Sequence, residues 1–326
     1  MNNETSKKLY DVTALGEALI DFTEAGVSPS GMRLFEQNPG GAVTNALTAL
    51  ARYGAKTAFI GKVGDDMHGR FMCEVLENVG IDVQGMVIAD DVFTTLAFVT
   101  LDKKSGERDF SFARKPGADI CLREDELSFD ILENTKILHI GSLSLTDEPS
   151  RSATYSAIKK ARDAGAIISY DPNYRAPLWR SRAEAIKRMR EPLHLIDIMK
   201  LSDEETEMLT DITDPKKAAV ELNSRGIKLI AVTLGKAGAL ICKDGQCETV
   251  PGFEVTAVDT TGAGDAFWGG FLYKMLESEK PIEQMSLDEI VSFARFGNAT
   301  AAVCVCRRGG IPAMPTLEEV KELLKI

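Results

Sequence analysis

The chain has 326 residues, 44% of them hydrophobic and 27% charged, a balance that excludes disordered, collagenous and membrane-spanning classes. Its 38 Lys and Arg against 49 Asp and Glu leave a net charge of −11 with no basic cluster, which argues against sequence-independent nucleic-acid binding. Cysteines 73, 121, 242, 247, 304 and 306 contain no Cys-x-x-Cys pair, so neither a zinc site nor a disulfide scaffold is expected.

The polar stretch Met1 to Tyr10 lacks the apolar core of a secretion signal. A cytoplasmic protein with reduced thiols is the expectation. Val12–Ile20 reads as a strand, and Asp21–Asn38, with Gly26, Pro29 and Gly31, as an irregular excursion. Next come a helix over Ala42–Tyr53, a strand over Ala58–Val63 and a helix over Gly69–Asn78. Thr94–Leu101 and Glu107–Phe112 are two strand-like runs joined by a short polar turn, an antiparallel hairpin where the chain otherwise alternates strand and helix.

Lys136–Ile140, Ala166–Tyr170, Asp197–Leu201 and Lys228–Leu234 read as strands, with a helix over Glu148–Ala164. Leu240–Cys242 and Cys247–Val250 form a hairpin around Asp244-Gly245. Cys304 and Cys306 read as packed core thiols. This is the pattern of an α/β protein with a mainly parallel sheet flanked by helices. One unit over 1–326 is expected, with a small β-sheet lid built from two inserted segments, about 19–40 and 93–115.

The segment Asp259-Thr-Thr-Gly-Ala-Gly-Asp-Ala-Phe267 follows a strand-like run, Phe253–Val258, and opens an apolar helix. A Gly-x-Gly turn at a helix start aims the backbone N–H groups of Gly262, Ala263 and Gly264 at an incoming anion, aided by the helix dipole. Asp265 in that first turn places a base beside the anion site, as attack of a hydroxyl on a phosphoryl group requires. The alternative is a plain helix cap and tight turn. P-loop and dinucleotide fingerprints are absent.

This nine-residue segment resembles the C-terminal signature of the PfkB (ribokinase-like) carbohydrate kinases. Gly40-Gly-Ala-Val-Thr-Asn45, Ala51-Arg-Tyr-Gly54 and Gly61-Lys-Val-Gly-Asp65 resemble their N-terminal signature. Leu15–Phe22, Phe112–Asp119, His139–Ser144, Ser169–Arg175 and Leu178-Trp179 bring the resemblance closest to fructokinases.

The resemblance implies a ribokinase-like fold and transfer of the ATP γ-phosphate to the 6-hydroxyl of D-fructose. Asp265 would be the general base and Gly262, Ala263 and Gly264 the anion hole. Asp21, Gly40, Gly41, Asn45, Phe112, Arg114 and Arg175 would meet the sugar. Lys200, Ser202, Thr233, Gly235, Gly238 and Asn298 would line the ATP site. Glu205 would organise Mg²⁺ through water, while Asp259 and Thr261, with the Arg307–Gly310 turn, resemble a monovalent-cation site suited to K⁺.

Ordinary readings stand beside these. Asp21 could be a turn aspartate, Ser202-x-x-Glu205 is also a helix capping box, and Asn298 could be a helix-surface asparagine. Two arginines at 114 and 175 could instead grip a carboxylate, which makes 2-keto-3-deoxygluconate kinase the nearest alternative. A non-catalytic sugar sensor would have no use for Asp265. The lid also offers a face for a homodimer.

Overall fold

The computed structural model describes residues 8–101 and 108–325. Among the described residues, nine strands form one sheet in the order β13-β12-β11-β10-β9-β8-β1-β4-β5, and four form a second in the order β3-β2-β6-β7. The large sheet comprises β1 (Tyr10–Leu15), β4 (Thr57–Gly64), β5 (Ile81–Ala89), β8 (Thr135–Gly141), β9 (Ile167–Asp171), β10 (Ile198–Ser202), β11 (Leu229–Thr233), β12 (Gly238–Lys243) and β13 (Gln246–Pro251). It is parallel from β5 to β11 and antiparallel at β12 and β13. The small sheet comprises β2 (Leu19–Val27), β3 (Arg33–Gly40), β6 (Leu96–Leu101) and β7 (Arg108–Ala113).

Strand periodicity explains the layers. In β11, Leu229 and Ala231 belong to one core and Ile230 and Val232 to the other, because alternate side chains leave opposite faces. One face is covered by α1 (Ala42–Arg52), α2 (Met67–Asn78), α8 (Ala263–Glu277) and α9 (Leu287–Cys304). The other carries α3 (Phe129–Glu133), α4 (Ser150–Asp163), α5 (Arg182–Arg190), α6 (Asp203–Thr210) and α7 (Pro215–Ser224). The last helix, α10 (Leu317–Leu324), packs against α9.

The expected mainly parallel sheet with a separate small one is the observed architecture. Three details differ. The run Val12–Ile20 is two strands in two sheets, broken at Gly16-Glu17-Ala18. Residues 21–38 are mostly paired, as the antiparallel strands β2 and β3, because β3 and β6 satisfy the backbone of β2 from both sides. Phe253–Val258 is not a strand; the ladder ends at Pro251.

The hairpin of β6 and β7 is antiparallel, with Ala97 opposite Phe112; its expected turn and Glu107 lie outside the described residues. Cys304 is buried but Cys306 is exposed, since it follows the end of α9 rather than facing the core. Among the described residues, no helix is long and apolar enough to cross a membrane.

Candidate active site

In an open parallel sheet, strand order reverses where the chain moves to the other side of its first strand, and a crevice opens there beyond the carboxyl ends. Here β1 lies between β4 and β8. A cleft of about 460 Å³ occupies that position, lined by Glu17 after β1, Leu143 after β8, Asn173 after β9, Ser202 ending β10 and Thr233 ending β11. The small sheet contributes Leu19, Asp21 and Phe112 from one side. A neighbouring apolar cavity of about 270 Å³ is lined by Gly235, Gly238, Phe253, Val255, Phe267 and Asn298, among others. The two cavities share Thr233, Thr260, Ala263 and Gly264.

That junction is the start of α8. Gly262 is its N-cap at φ +75°, a left-handed conformation that favours glycine, and no side chain caps the helix there. The N–H groups of a first helical turn have no intrahelical partner. Ala263 turns its own back to Thr260 O at 3.3 Å, which makes it the most engaged of the three expected anion-hole donors.

Asp265, in the same turn, is 7% exposed. Its Oδ2 accepts a hydrogen bond from Asn45 Nδ2 at 2.8 Å. Burial pushes its carboxyl up to about 6, opposed by the nearby Lys200 ammonium and assisted by the Asp171 carboxylate. A carboxylate poised near neutral pH can accept a proton from a hydroxyl.

The residues expected on the sugar side come mainly from α1 and the small sheet. Gly41 is the N-cap of α1 at φ +123°, and Asn45 lies one turn in. Gly40 packs beneath Asp21: a Cβ at Gly40 would sit 2.3 Å from Asp21 Oδ2. Asp21, Gly41, Asn45, Phe112, Arg175, Lys200, Ser202 and Asp265 therefore line one cleft.

Arg114 does not join them. It is buried, with Nη2 2.6 Å from Asp119 Oδ2 and 2.9 Å from Leu143 O, and Nη1 3.0 Å from Thr146 Oγ1. A guanidinium so committed braces the wall behind Leu143 rather than reaching a ligand.

The residues expected on the nucleotide side divide. Gly235, Gly238 and Asn298 line the apolar cavity, Thr233 lines both, and Lys200 and Ser202 face the larger cleft. Asn298 is buried, not on a helix surface. Its amide donates to Val250 O at 3.0 Å and Pro251 O at 3.1 Å, tying α9 to the end of β13.

Glu205 Oε2 accepts Ser202 N–H at 2.7 Å, and its Oε1 accepts Tyr174 N–H at 2.6 Å. It caps α6 and holds the loop after β9. Among the described residues, no group of three or more His, Cys, Asp or Glu side chains is placed to hold a metal ion. Asp265 and Asp171 place carboxylate oxygens near the junction, the donor type a hydrated divalent ion takes.

Asp259 Oδ1 accepts Thr261 N–H at 2.7 Å and its Oδ2 accepts Gly309 N–H at 3.1 Å. The loop before α8 and the Arg307–Gly310 turn are thereby held side by side.

Glu17 and Asp171 escaped the sequence reading of the site. Glu17 Oε1 accepts Ala42 N–H at 2.7 Å, its Oε2 is buried without a partner, and burial pushes its carboxyl up to about 7. Asp171 accepts a hydrogen bond from Lys200 Nζ at 2.8 Å. Both lie inside quoted motifs, but nothing in those motifs says which carboxylate meets which partner.

A model of the pfkB family carbohydrate kinases matches residues 10–317. The chain is similar to Probable fructokinase-2 of Arabidopsis thaliana, 42% identical over 318 residues, 97% of this chain and 96% of that one. Its fold is similar to a Xylella fastidiosa fructokinase solved with bound ATP (TM-score 0.89, 34% identity, 97% and 98% of the chains covered). It is also similar to a Vibrio cholerae O395 fructokinase variant in a fructose-, ADP- and potassium-bound form (TM-score 0.87, 31% identity, 98% and 99% covered). The chain belongs to the pfkB family of carbohydrate kinases.

Proposed function

We propose that this chain is an ATP-dependent fructokinase, a phosphotransferase acting on the 6-hydroxyl of D-fructose. The observation that carries the reading is Asp265, buried at the α8 N-terminus where a polar cleft and an apolar cavity meet. The sugar occupies the polar cleft, held by Asp21, Asn45 and backbone at Gly40 and Gly41, with Phe112 and Arg175 at its edge. The base of ATP occupies the apolar cavity beside Gly235, Gly238 and Asn298, and its phosphates cross past Thr233 to the glycine turn.

Asp265 takes the hydroxyl proton as the sugar oxygen attacks, while the first-turn N–H groups receive the phosphoryl oxygens. Mg²⁺ bound to the phosphates neutralises their charge, with Glu205 reaching it through water. K⁺ beside Asp259 and Thr261 would steady the loop entering α8. The small sheet acts as a lid that excludes water. Its exposed Val27, Met32 and Leu34 suit a homodimer through that face, and six free cysteines suit a cytoplasmic location.

Recognition of a keto acid by paired arginines is not favoured, because Arg114 is held by Asp119. An ADP-release assay over a panel of fructose, ribose, adenosine, fructose 6-phosphate and 2-keto-3-deoxygluconate tests the substrate. Fructose should give the highest kcat/KM. A tenfold or greater preference for the keto acid would overturn the sugar assignment and leave the family intact.

A further inference from the structure

The polar floor of the cleft holds a cation where a helix normally repels one. Lys200 projects from β10 and is 5% exposed; Asp171 ends the neighbouring strand β9 and is 2% exposed. Their Nζ and Oδ2 atoms are 2.8 Å apart. The ammonium lies against the first turn of α8, since a Cβ on Gly264 would be 2.7 Å from Lys200 Nζ. A helix N-terminus carries about half a positive charge. Placing a buried ammonium beside it is unfavourable unless negative charge gathers there too.

Asp171 and Asp265 supply part of that negative charge. The Lys200 ammonium is held above the ordinary lysine range: burial acts against it, but Asp171, Asp265 and Glu205 outweigh burial. A purely structural role explains this arrangement poorly, because well-packed apolar residues commonly serve a core as well as a buried ion pair does. The Trp268 Nε1–H bond to Ser169 Oγ at 2.9 Å already anchors α8 to β9 without any charge. Lys200 lines the cleft, with Asp171 buried behind it, and the cation faces the turn expected to accept an anion.

We propose that Lys200 is a further catalytic residue, its ammonium held by Asp171 against the transferring phosphoryl group at the start of α8. This rests on the kinase reading above and deepens it. In the step, the sugar oxygen forms a bond to the γ-phosphorus while the bond from that phosphorus to the β–γ bridging oxygen breaks. ADP leaves with the electron pair, the hydroxyl proton passes to Asp265, and Lys200 keeps its own proton throughout. Its charge is matched to oxygens that ATP has and ADP lacks. The closeness of Nζ to Gly264 further explains why that position carries no side chain.

The test uses the full-length enzyme with Mg²⁺ and compares Lys200→Met and Lys200→Gln with wild type. Gln keeps a donor for Asp171 and guards against misfolding of the apolar variant. Calorimetric titration gives the affinities for MgATP, MgADP and fructose separately, and a melting curve reports folding. Both variants should lose about 10²-fold in kcat, the scale for removing one preorganised charge-stabilising donor. Both should also lose about tenfold of the preference for MgATP over MgADP, with fructose affinity unchanged.

Retention of more than a tenth of kcat by Lys200→Gln would overturn the proposal. So would equal losses of MgATP, MgADP and fructose affinity, the mark of a structural role. If wild type phosphorylated no sugar on the panel, the fructokinase reading would fall, while the MgATP-to-MgADP ratio would still decide the role of Lys200.

Discussion

Helices α1 and α8 begin alike and are used differently. Each starts on a glycine with positive φ, Gly41 at +123° and Gly262 at +75°, and neither N-cap offers a side-chain hydrogen bond. They lie close enough for Asn45 of α1 to donate to Asp265 of α8. At α1 the protein's own Glu17 carboxyl meets the first N–H. At α8 the facing groups are an ammonium and the cleft. One N-terminus is closed by a carboxyl of the protein itself, and the other faces the cleft, where the proposed reaction would place a phosphoryl group. Under the proposed function, a helix start becomes a reaction site through what the rest of the fold withholds from it.

Converting Asp265→Asn should give the largest effect. The amide can still meet Asn45 but cannot accept a proton, so kcat should fall by at least about 10²-fold, with little change in fructose affinity. Stability should move the other way. The folded-state carboxyl is pushed up to about 6 from its ordinary 3.8, so the stability this group contributes is fully present below about pH 4 and is lost as pH rises through 6. The variant escapes that loss. It should be more stable than wild type at pH 8, by about 3 kcal/mol at most, and so melt higher, with the gain vanishing near pH 4. Wild-type kcat/KM should fall as pH drops below about 6. A variant with more than a tenth of wild-type kcat, or an unshifted melting point at pH 8, would break the contrast between the two helix starts.

Replacing the two glycines sharpens the contrast. In Gly41→Ala the new Cβ would meet the Glu17 backbone carbonyl at 2.4 Å, a contact that backbone cannot yield. Stability should drop by about 2–3 kcal/mol. In Gly262→Ala the Cβ would meet the Met314 methyl at 3.1 Å, which can move. That change should cost about 1 kcal/mol of stability, yet lower kcat about tenfold by shifting the first-turn donors. Denaturant melts and steady-state rates separate the two. Equal stability losses, or a larger rate loss for Gly41→Ala, would contradict the assignment.

The smallest effect belongs to Glu17→Gln. The Glu17 carboxyl is pushed up to about 7 from an ordinary 4.5, so the stability it contributes is lost as pH rises from 4.5 through 7. The α1 dipole recovers part of this when the group ionises. The variant keeps an acceptor for Ala42 and should match wild type at pH 4.5. At pH 8 it should be about 1–2 kcal/mol more stable, with kcat nearly unchanged. A tenfold loss of kcat would instead place Glu17 in the chemistry.

Much of this molecule is legible in its sequence, and the limits have a common cause. Alternating apolar runs mark most strands of the large sheet because each strand is buried on both faces or along an alternating stripe. The hairpin around Asp244-Gly245 is legible because its turn is local, and so is the Asp259–Phe267 segment, whose turn and helix start are defined by nearby residues.

Where an answer depends on distant residues, the same patterns mislead. Val12–Ile20 reads as one strand until β4 and β8 claim its first half and β3 and β6 its second. Arg114 and Arg175 are alike as isolated cations, yet Asp119 holds one in the wall while the other faces the cleft. Glu17 closing α1 and Lys200 standing at α8 are likewise tertiary outcomes. Local sequence determined which backbone could bend, pair or begin a helix, because those preferences reside in the residue and its neighbours. Which charges were neutralised and which were left facing a ligand was decided by contacts of about 3 Å between segments far apart in the chain, since charge-assisted hydrogen bonds act over that range.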